Sequence, residues 1–281
     1  MKSVKREVEI LVLSDIHLGT YGCHAKELYR YLKSVQPQKV ILNGDIIDAW
    51  QFSKRYWPKS HMRIIKQFIA WITEGIEVVY IPGNHDEMMR RFVGFKLGSF
   101  RIENKLSLKL NGGKAWFFHG DVFDVTMKHS KWLAKAGAMG YDTLIQLNRV
   151  VNFISNKFFG KGNISLSKKI KNSVKSAVSF INDFEETATS IGAENGYKYI
   201  VCGHIHRPII KNCVTSHGDV VYLNSGDWVE NLTALEYHNG NWQMYQYDFI
   251  NNPELEEEGS NDIDVRSSKE LFNDLLMEFQ I

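Results

Sequence analysis

Ile10-Leu11-Val12-Leu13-Ser14-Asp15-Ile16-His17 reads as four apolar residues that run into a short polar turn bearing a carboxylate and an imidazole. An apolar run of this length, rich in branched side chains, suits a strand buried on both faces. The same event recurs downstream. Val40-Ile41-Leu42 leads into Asn43-Gly44-Asp45, and Val78-Val79-Tyr80-Ile81 into Pro82-Gly83-Asn84-His85-Asp86. Ala115–Phe118 leads into His119-Gly120-Asp121, and Tyr199–Cys202 into Gly203-His204-Ile205-His206. In open α/β sheets ligands bind outside the carboxyl ends of the strands, so these five turns are expected to converge on one site.

Two stretches with apolar residues at helical spacing, Lys26–Val35 and His61–Thr73, separate the first three strands and give a β-α-β-α-β order. A second strand-rich group follows at Leu106–Leu110, Ala115–His119, Tyr199–Cys202, Val220–Leu223, Thr233–Tyr237 and Trp242–Tyr247. Gly112-Gly113 and Asn239-Gly240 read as hairpin turns within it. The expected fold is α/β, a four-layer α/β/β/α sandwich. From 123 to 197 the strand rhythm stops. Leu144, Leu147, Val151, Ile154 and Phe158 form one helical stripe, and Thr126–Ser176 holds ten Lys/Arg against the single acid Asp142. This stretch is expected to be a helical cap inserted into a main domain spanning 1–250. The tail, 251–281, is acidic, with a short helix expected at Ser267–Phe279 after a linker.

Composition narrows the class. At 281 residues, 44% hydrophobic and 23% charged, the chain can bury a large core. A net charge of +2, with no base-reading motif, points away from a specific nucleic-acid binder. Cys23, Cys202 and Cys213 lack metal or disulfide spacing, which suits a reducing compartment. The charged Met1–Glu9 segment gives no secretory leader, and no apolar run is long enough to span a bilayer.

The polar residues at the strand ends are metal-ligand types. Carboxylate, amide oxygen and imidazole together suit Mn²⁺, Fe²⁺, Zn²⁺ or Mg²⁺. Each motif alone is weak: a lone Asp-x-His is usually a loop and a lone Gly-Asp a turn. Five in succession, each after a strand-like run, point to a two-metal hydrolase of phosphoester or phosphoanhydride bonds. Asp45 has two oxygens with which to bridge two ions. Either Asp48 or Asp86 has the position to orient a ligand imidazole from behind.

The order D-x-H, G-D, G-N-H-D, H-G and G-H-x-H resembles the calcineurin-like metallophosphoesterase superfamily over Ile10 to Tyr247. That resemblance implies one ion on Asp15, His17, Asp45 and His206, and a second on Asp45, Asn84, His119 and His204. It makes His85 the residue that contacts the reacting phosphoryl oxygens, and Mn²⁺ the expected metal. Gly44-Asp45-Ile46-Ile47-Asp48-Ala49-Trp50, Gly203–Pro208 and the basic cap are similar to UDP-2,3-diacylglucosamine pyrophosphatases of lipid A synthesis. In the best-known of those enzymes Arg stands where this chain has His85, whereas the broader superfamily has His there. The resemblance implies a lipid-linked UDP-sugar substrate, cleaved to UMP and an acylated sugar 1-phosphate by a cytoplasmic protein peripheral to the inner membrane. Asn84, His85, His204, Arg90, Arg91 and the cap residues Lys168 and Lys171 are the expected substrate contacts. Alternatives are a metallophosphoesterase for nucleotides, cyclic nucleotides or phosphoproteins, and a scaffold that keeps the fold without catalysis.

Overall fold

The computed structural model describes residues 5–50, 56–123 and 167–250, with side chains from residue 180 onward in the last segment. Strands β1 (Arg6–Leu13), β2 (Val35–Asn43) and β3 (Glu77–Ile81) alternate with helices α1 (Ala25–Ser34) and α2 (Lys59–Thr73). β4 (Lys96–Leu97), β5 (Phe100–Ile102), β6 (Leu106–Leu110) and β7 (Gly113–Phe117) follow. Then come α3 (Ser167–Glu194), β8 (Tyr197–Cys202), β9 (Ile209–Thr215), β10 (Gly218–Asn224), β11 (Thr233–His238) and β12 (Asn241–Gln246).

These strands make two sheets, of order β12-β11-β1-β2-β3-β5-β4 and β6-β7-β8-β10-β9. Side-chain alternation explains how they stack. Leu11, Leu13, Val40, Leu42, Val78 and Tyr80 face α1 and α2, where they pack with Leu28, Leu32, Ile64 and Trp71. Their neighbours Ile10, Val12, Ile41, Val79 and Ile81 face the second sheet and meet Ala115, Phe117, Val201 and Leu223. The far side of that sheet, through Phe118, Ile200, Cys202 and Tyr222, packs on Phe184 and Ala188 of α3. Three apolar layers therefore separate four structural layers, and the α/β/β/α sandwich is observed.

Several expectations need adjustment. β11 and β12 join the first sheet, where β11 runs antiparallel to β1. Asn239 (φ 50°) and Gly240 (φ 81°) form the hairpin turn between them; two left-handed residues match the right-handed twist of the strands. Both ends of the expected insertion, 123 and 197, fall on described residues. Phe123 packs edge-on against Phe118 and Phe184, the last turns of α3 are the outer layer of the second sheet, and Tyr197 opens β8. The stripe Leu144–Phe158, and the acidic tail with its Ser267–Phe279 helix, lie outside the described residues. All three cysteines are free thiols. No described helix is long and apolar enough to cross a membrane.

Candidate metal centre

β1, β2 and β3 run parallel, as do β7, β8 and β10, so the turns after these strands open along one edge of the sandwich. The backbone there departs from ordinary conformations. Asp15 (φ 51°), His17 (φ 53°), Asp45 (φ 53°), His204 (φ 65°) and His206 (φ 52°) all occupy the left-handed region. Such a residue costs roughly 1–3 kcal/mol and persists only where its surroundings over-determine it. Here the turns brace one another. Asp15 N–H donates to Gly44 O (3.0 Å), His17 N–H to Asp45 O (2.9 Å), and Gly203 N–H to His119 O (3.0 Å). Two of the expected ligand carboxylates also accept backbone N–H groups from other turns, Asp45 Oδ1 from His85 (2.8 Å) and Asp15 Oδ2 from His204 (3.1 Å).

The strain aims the side chains at one another across the two sheets. Asp15, His17 and His206 bring one potential ligand atom each within 4.8 Å of the others, and Asp45, His119 and His204 do the same. Each triad draws on both sheets. Asp15 Oδ1 lies 3.0 Å from His206 Nε2, and Asp45 Oδ2 lies 3.2 Å from His119 Nε2. His17 Nε2 and Asn84 Oδ1 are buried with no hydrogen-bond partner among the described residues. Buried polar atoms are ordinarily satisfied, so these two orphans, beside two carboxylate–imidazole triads, fit divalent cations. Six of the seven expected ligands stand in the triads, and Asn84 contributes the orphaned amide oxygen.

The imidazoles are oriented from behind. Asp48 Oδ2 lies 3.1 Å from His17 Nδ1 and 2.8 Å from His85 Nδ1. His119 Nδ1 meets the Asn43 carbonyl at 2.9 Å. Both arrangements leave Nε2 to face the centre. The choice between Asp48 and Asp86 falls on Asp48. Asp86 instead accepts from Ile46 N–H (2.9 Å), Gly83 N–H (2.6 Å) and Tyr80 Oη–H (2.5 Å), so it ties the β2 and β3 turns together.

Charge couples the pairs. Burial alone would raise Asp45, but the neighbouring His119 holds it well below the carboxylate range. Burial would likewise raise Asp15, and His206 holds it down. Burial works against the charged imidazole of His206, yet Asp15 lifts its pKa to about 9. His119 is raised well above its ordinary value by Asp45, again against burial. His85 is also raised, because its contact with Asp48 and the charge of Asp45 outweigh burial.

Close packing requires glycine beside these groups. A Cβ on Gly83 would come within 2.2 Å of Asp45 Oδ1, and one on Gly44 within 2.1 Å of His119 Nδ1.

The expected substrate contacts have varied surroundings. His85 lies under the half-exposed indole of Trp50, ring centres 4.4 Å apart. The Arg90 guanidinium reaches both oxygens of Asp121 (2.8 and 2.7 Å), so its charge is already paired within the protein. Arg91 is exposed. Lys168 and Lys171 fall on α3, ahead of its described side chains. The sequence did not single out Asn43, nor His61, whose Nδ1 accepts the Gly19 N–H (3.0 Å) and whose pKa burial lowers to about 4. It also passed over the turn after β10. That turn's Asn-Ser-Gly-Asp composition signals only a bend.

A family model described as calcineurin-like phosphoesterase matches residues 8–208. A UDP-2,3-diacylglucosamine hydrolase from Aliivibrio fischeri is 21% identical, over 85% of this chain and 99% of the relative. One from Pseudomonas fluorescens is 22% identical, over 88% and 98%. Among solved structures, the phosphoesterase Yfce from E. coli is 12% identical, covers 85% of this chain and 99% of its own, and gives a TM-score of 0.40. With its motifs assembled at one edge of the sandwich and its family model spanning most of the length, the chain belongs to the calcineurin-like phosphoesterase family and is a metal-dependent phosphoester hydrolase.

Proposed function

We propose that the protein cleaves the pyrophosphate bond of UDP-2,3-diacylglucosamine, releasing UMP and 2,3-diacylglucosamine 1-phosphate. The observation that carries this reading is the likeness to hydrolases named for that substrate along 98–99% of their own length, joined to two clusters of residues that could hold metal ions. Asp15, His17, Asp45 and His206 would hold one Mn²⁺, and Asp45, Asn84, His119 and His204 the other, with Asp45 between them. When bound, such a pair activates water for in-line attack on phosphorus and offsets charge developing on the phosphoryl oxygens.

The remaining work falls to the chain. His85, fixed by Asp48 and raised in pKa, hydrogen-bonds the phosphoryl oxygens as their charge grows. The leaving group is itself a phosphate, a weak base, so this hydrogen bond can replace full proton transfer. That also accounts for how Arg can serve at this position in similar enzymes. Asn84 and His204 line the same pocket of charge, with Arg91 and the α3 residues Lys168 and Lys171 as contacts for the anionic substrate. Arg90, held on both oxygens of Asp121, is a further contact for that substrate.

A peripheral position on the cytoplasmic face of the inner membrane is supported by the segment just after His85-Asp86. Met88, Phe92, Phe95 and Leu97 are 58%, 52%, 47% and 64% exposed, with exposed Arg91 and Lys96 among them. Apolar groups flanked by cations suit an anionic lipid surface.

The test is parallel incubation of the Mn²⁺-loaded protein with UDP-2,3-diacylglucosamine, bis-p-nitrophenyl phosphate and a phosphoprotein. Release of UMP from the first supports the reading. Turnover of the other two without the first overturns the substrate and leaves the hydrolase.

A further inference from the structure

The first ligand triad is assembled from two sheets. Asp15 and His17 follow β1, whereas His206 follows β8, and no shared strand fixes their separation. Beside the direct bond from His204 N–H to Asp15 Oδ2 (3.1 Å), the turn from Asn224 to Thr233 that links β10 to β11 touches both sides of that gap. Toward β1, Trp228 N–H donates to Asp15 O (3.1 Å), Ser225 Oγ meets Ser14 Oγ (2.6 Å), and Ser14 Oγ–H donates to Gly226 O (3.0 Å). Toward β8, Asn224 Nδ2–H donates to Gly203 O (2.7 Å) and Asn231 Nδ2–H to His206 O (2.9 Å).

The turn is itself rigid. Asp227, fully buried, accepts backbone N–H groups from Val229 (2.8 Å), Glu230 (2.5 Å) and Asn231 (3.2 Å) on Oδ1. Its Oδ2 accepts from Asn231 Nδ2 (2.5 Å). The Asn231 Nδ2 thus gives one hydrogen to its own turn and the other to the carbonyl of His206, an expected ligand held at φ 52°.

The second triad is braced differently. Asn43 Nδ2–H donates to Phe118 O (3.0 Å), His119 Nδ1 meets Asn43 O (2.9 Å), and Gly203 N–H donates to His119 O (3.0 Å). None of these contacts runs through Asn231.

We infer that the 224–233 turn is a clamp that sets Asp15 and His17 against His206, and that Asn231 is its positioning residue. Its effect therefore falls on one ion site and leaves the other. This rests on the two-ion reading of the site.

The test is calorimetric titration of the full-length, metal-free protein with Mn²⁺, with bound metal counted by mass spectrometry. His17→Ala and Asn84→Ala mark which binding step belongs to which site. Asn231→Ala should weaken the step that His17→Ala weakens, by at least about tenfold, and leave the Asn84 step within about twofold. Thr189→Val supplies the control. It removes the buried Thr189 Oγ1–H bond to Glu185 O (2.7 Å) within α3, outside the clamp, and should leave both steps unchanged. Ser14→Ala cuts the clamp from the β1 side and should weaken the same step as Asn231→Ala, so one folded variant of the two suffices.

Equal weakening of both steps, weakening of the Asn84 step alone, or wild-type binding in whichever variant folds overturns the clamp. Fewer than two ions in the unaltered protein overturns the two-ion reading, and the clamp with it.

Discussion

The Nδ1 atoms of His17 and His85 converge on a single oxygen, Asp48 Oδ2, at 3.1 and 2.8 Å. One carboxylate thereby orients a candidate metal ligand and the candidate phosphoryl contact together. Asp48 itself is held well below the carboxylate range, because these two imidazoles outweigh the upward push of its burial. Replacing it with Asn keeps the volume and removes the charge. Asp48→Asn should lower Mn²⁺ affinity about 10–100-fold, and should let the His85 pKa fall, shifting the pH–rate profile to lower pH. Titration calorimetry and a pH series measure both.

Gly83 tests how tightly the site is built. An added Cβ would fall 2.2 Å from Asp45 Oδ1 and 2.7 Å from His119 Nε2, so those side chains must move. Gly83→Ala is expected to lower kcat by roughly 10²-fold, the scale of a displacement near 1 Å at a reacting centre. Circular dichroism should show the fold intact.

The carboxylate–imidazole pairs predict how metal binding depends on pH. A raised histidine stabilises the metal-free fold fully below its unfolded pKa, near 6.5, and that contribution is lost as pH rises through its folded value, about 9 for His206. An ion requires the neutral imidazole, so binding displaces this proton. Mn²⁺ affinity should climb across this window, by up to about tenfold per pH unit for each proton displaced. Calorimetry in two buffers of different ionisation enthalpy should show proton release.

Phe184 joins α3 to the site's outer wall. It is fully buried, packs edge-on against Phe123, and leaves no room for a Cβ on Gly120, which would meet its ring at 2.8 Å. Phe184→Ala should cost about 3–5 kcal/mol of stability, read as a fall in the denaturant midpoint.

Much of this was legible in the sequence because the chemistry is local. Asp15, Asp45, Asn84, His119 and His204 each sit within three residues of a buried apolar strand, and a strand's end fixes where its next side chains go. β9 escaped notice because Ile209–Thr215 is an edge strand with no buried residue, so it carries no apolar alternation. β5 is three residues long, too short for a pattern. The placement of β11 beside β1 depends on long-range pairing that a local reading does not reach. Asp48 and Asp86 both follow a ligand motif, and only tertiary contacts separate the residue that orients His17 from the one that ties two turns together. Asn231 gave no signal, since its value lies in a carbonyl 25 residues away.

Asp45 is proposed to join two ion sites into one hydrolytic centre. Metal content by mass spectrometry, measured with turnover on wild-type protein and on Asp45→Ala, tests it most directly. Two Mn²⁺ per wild-type chain, with loss of metal and of nearly all activity in Asp45→Ala, is the predicted result. An Asp45→Ala protein with unchanged metal content and wild-type turnover would contradict it.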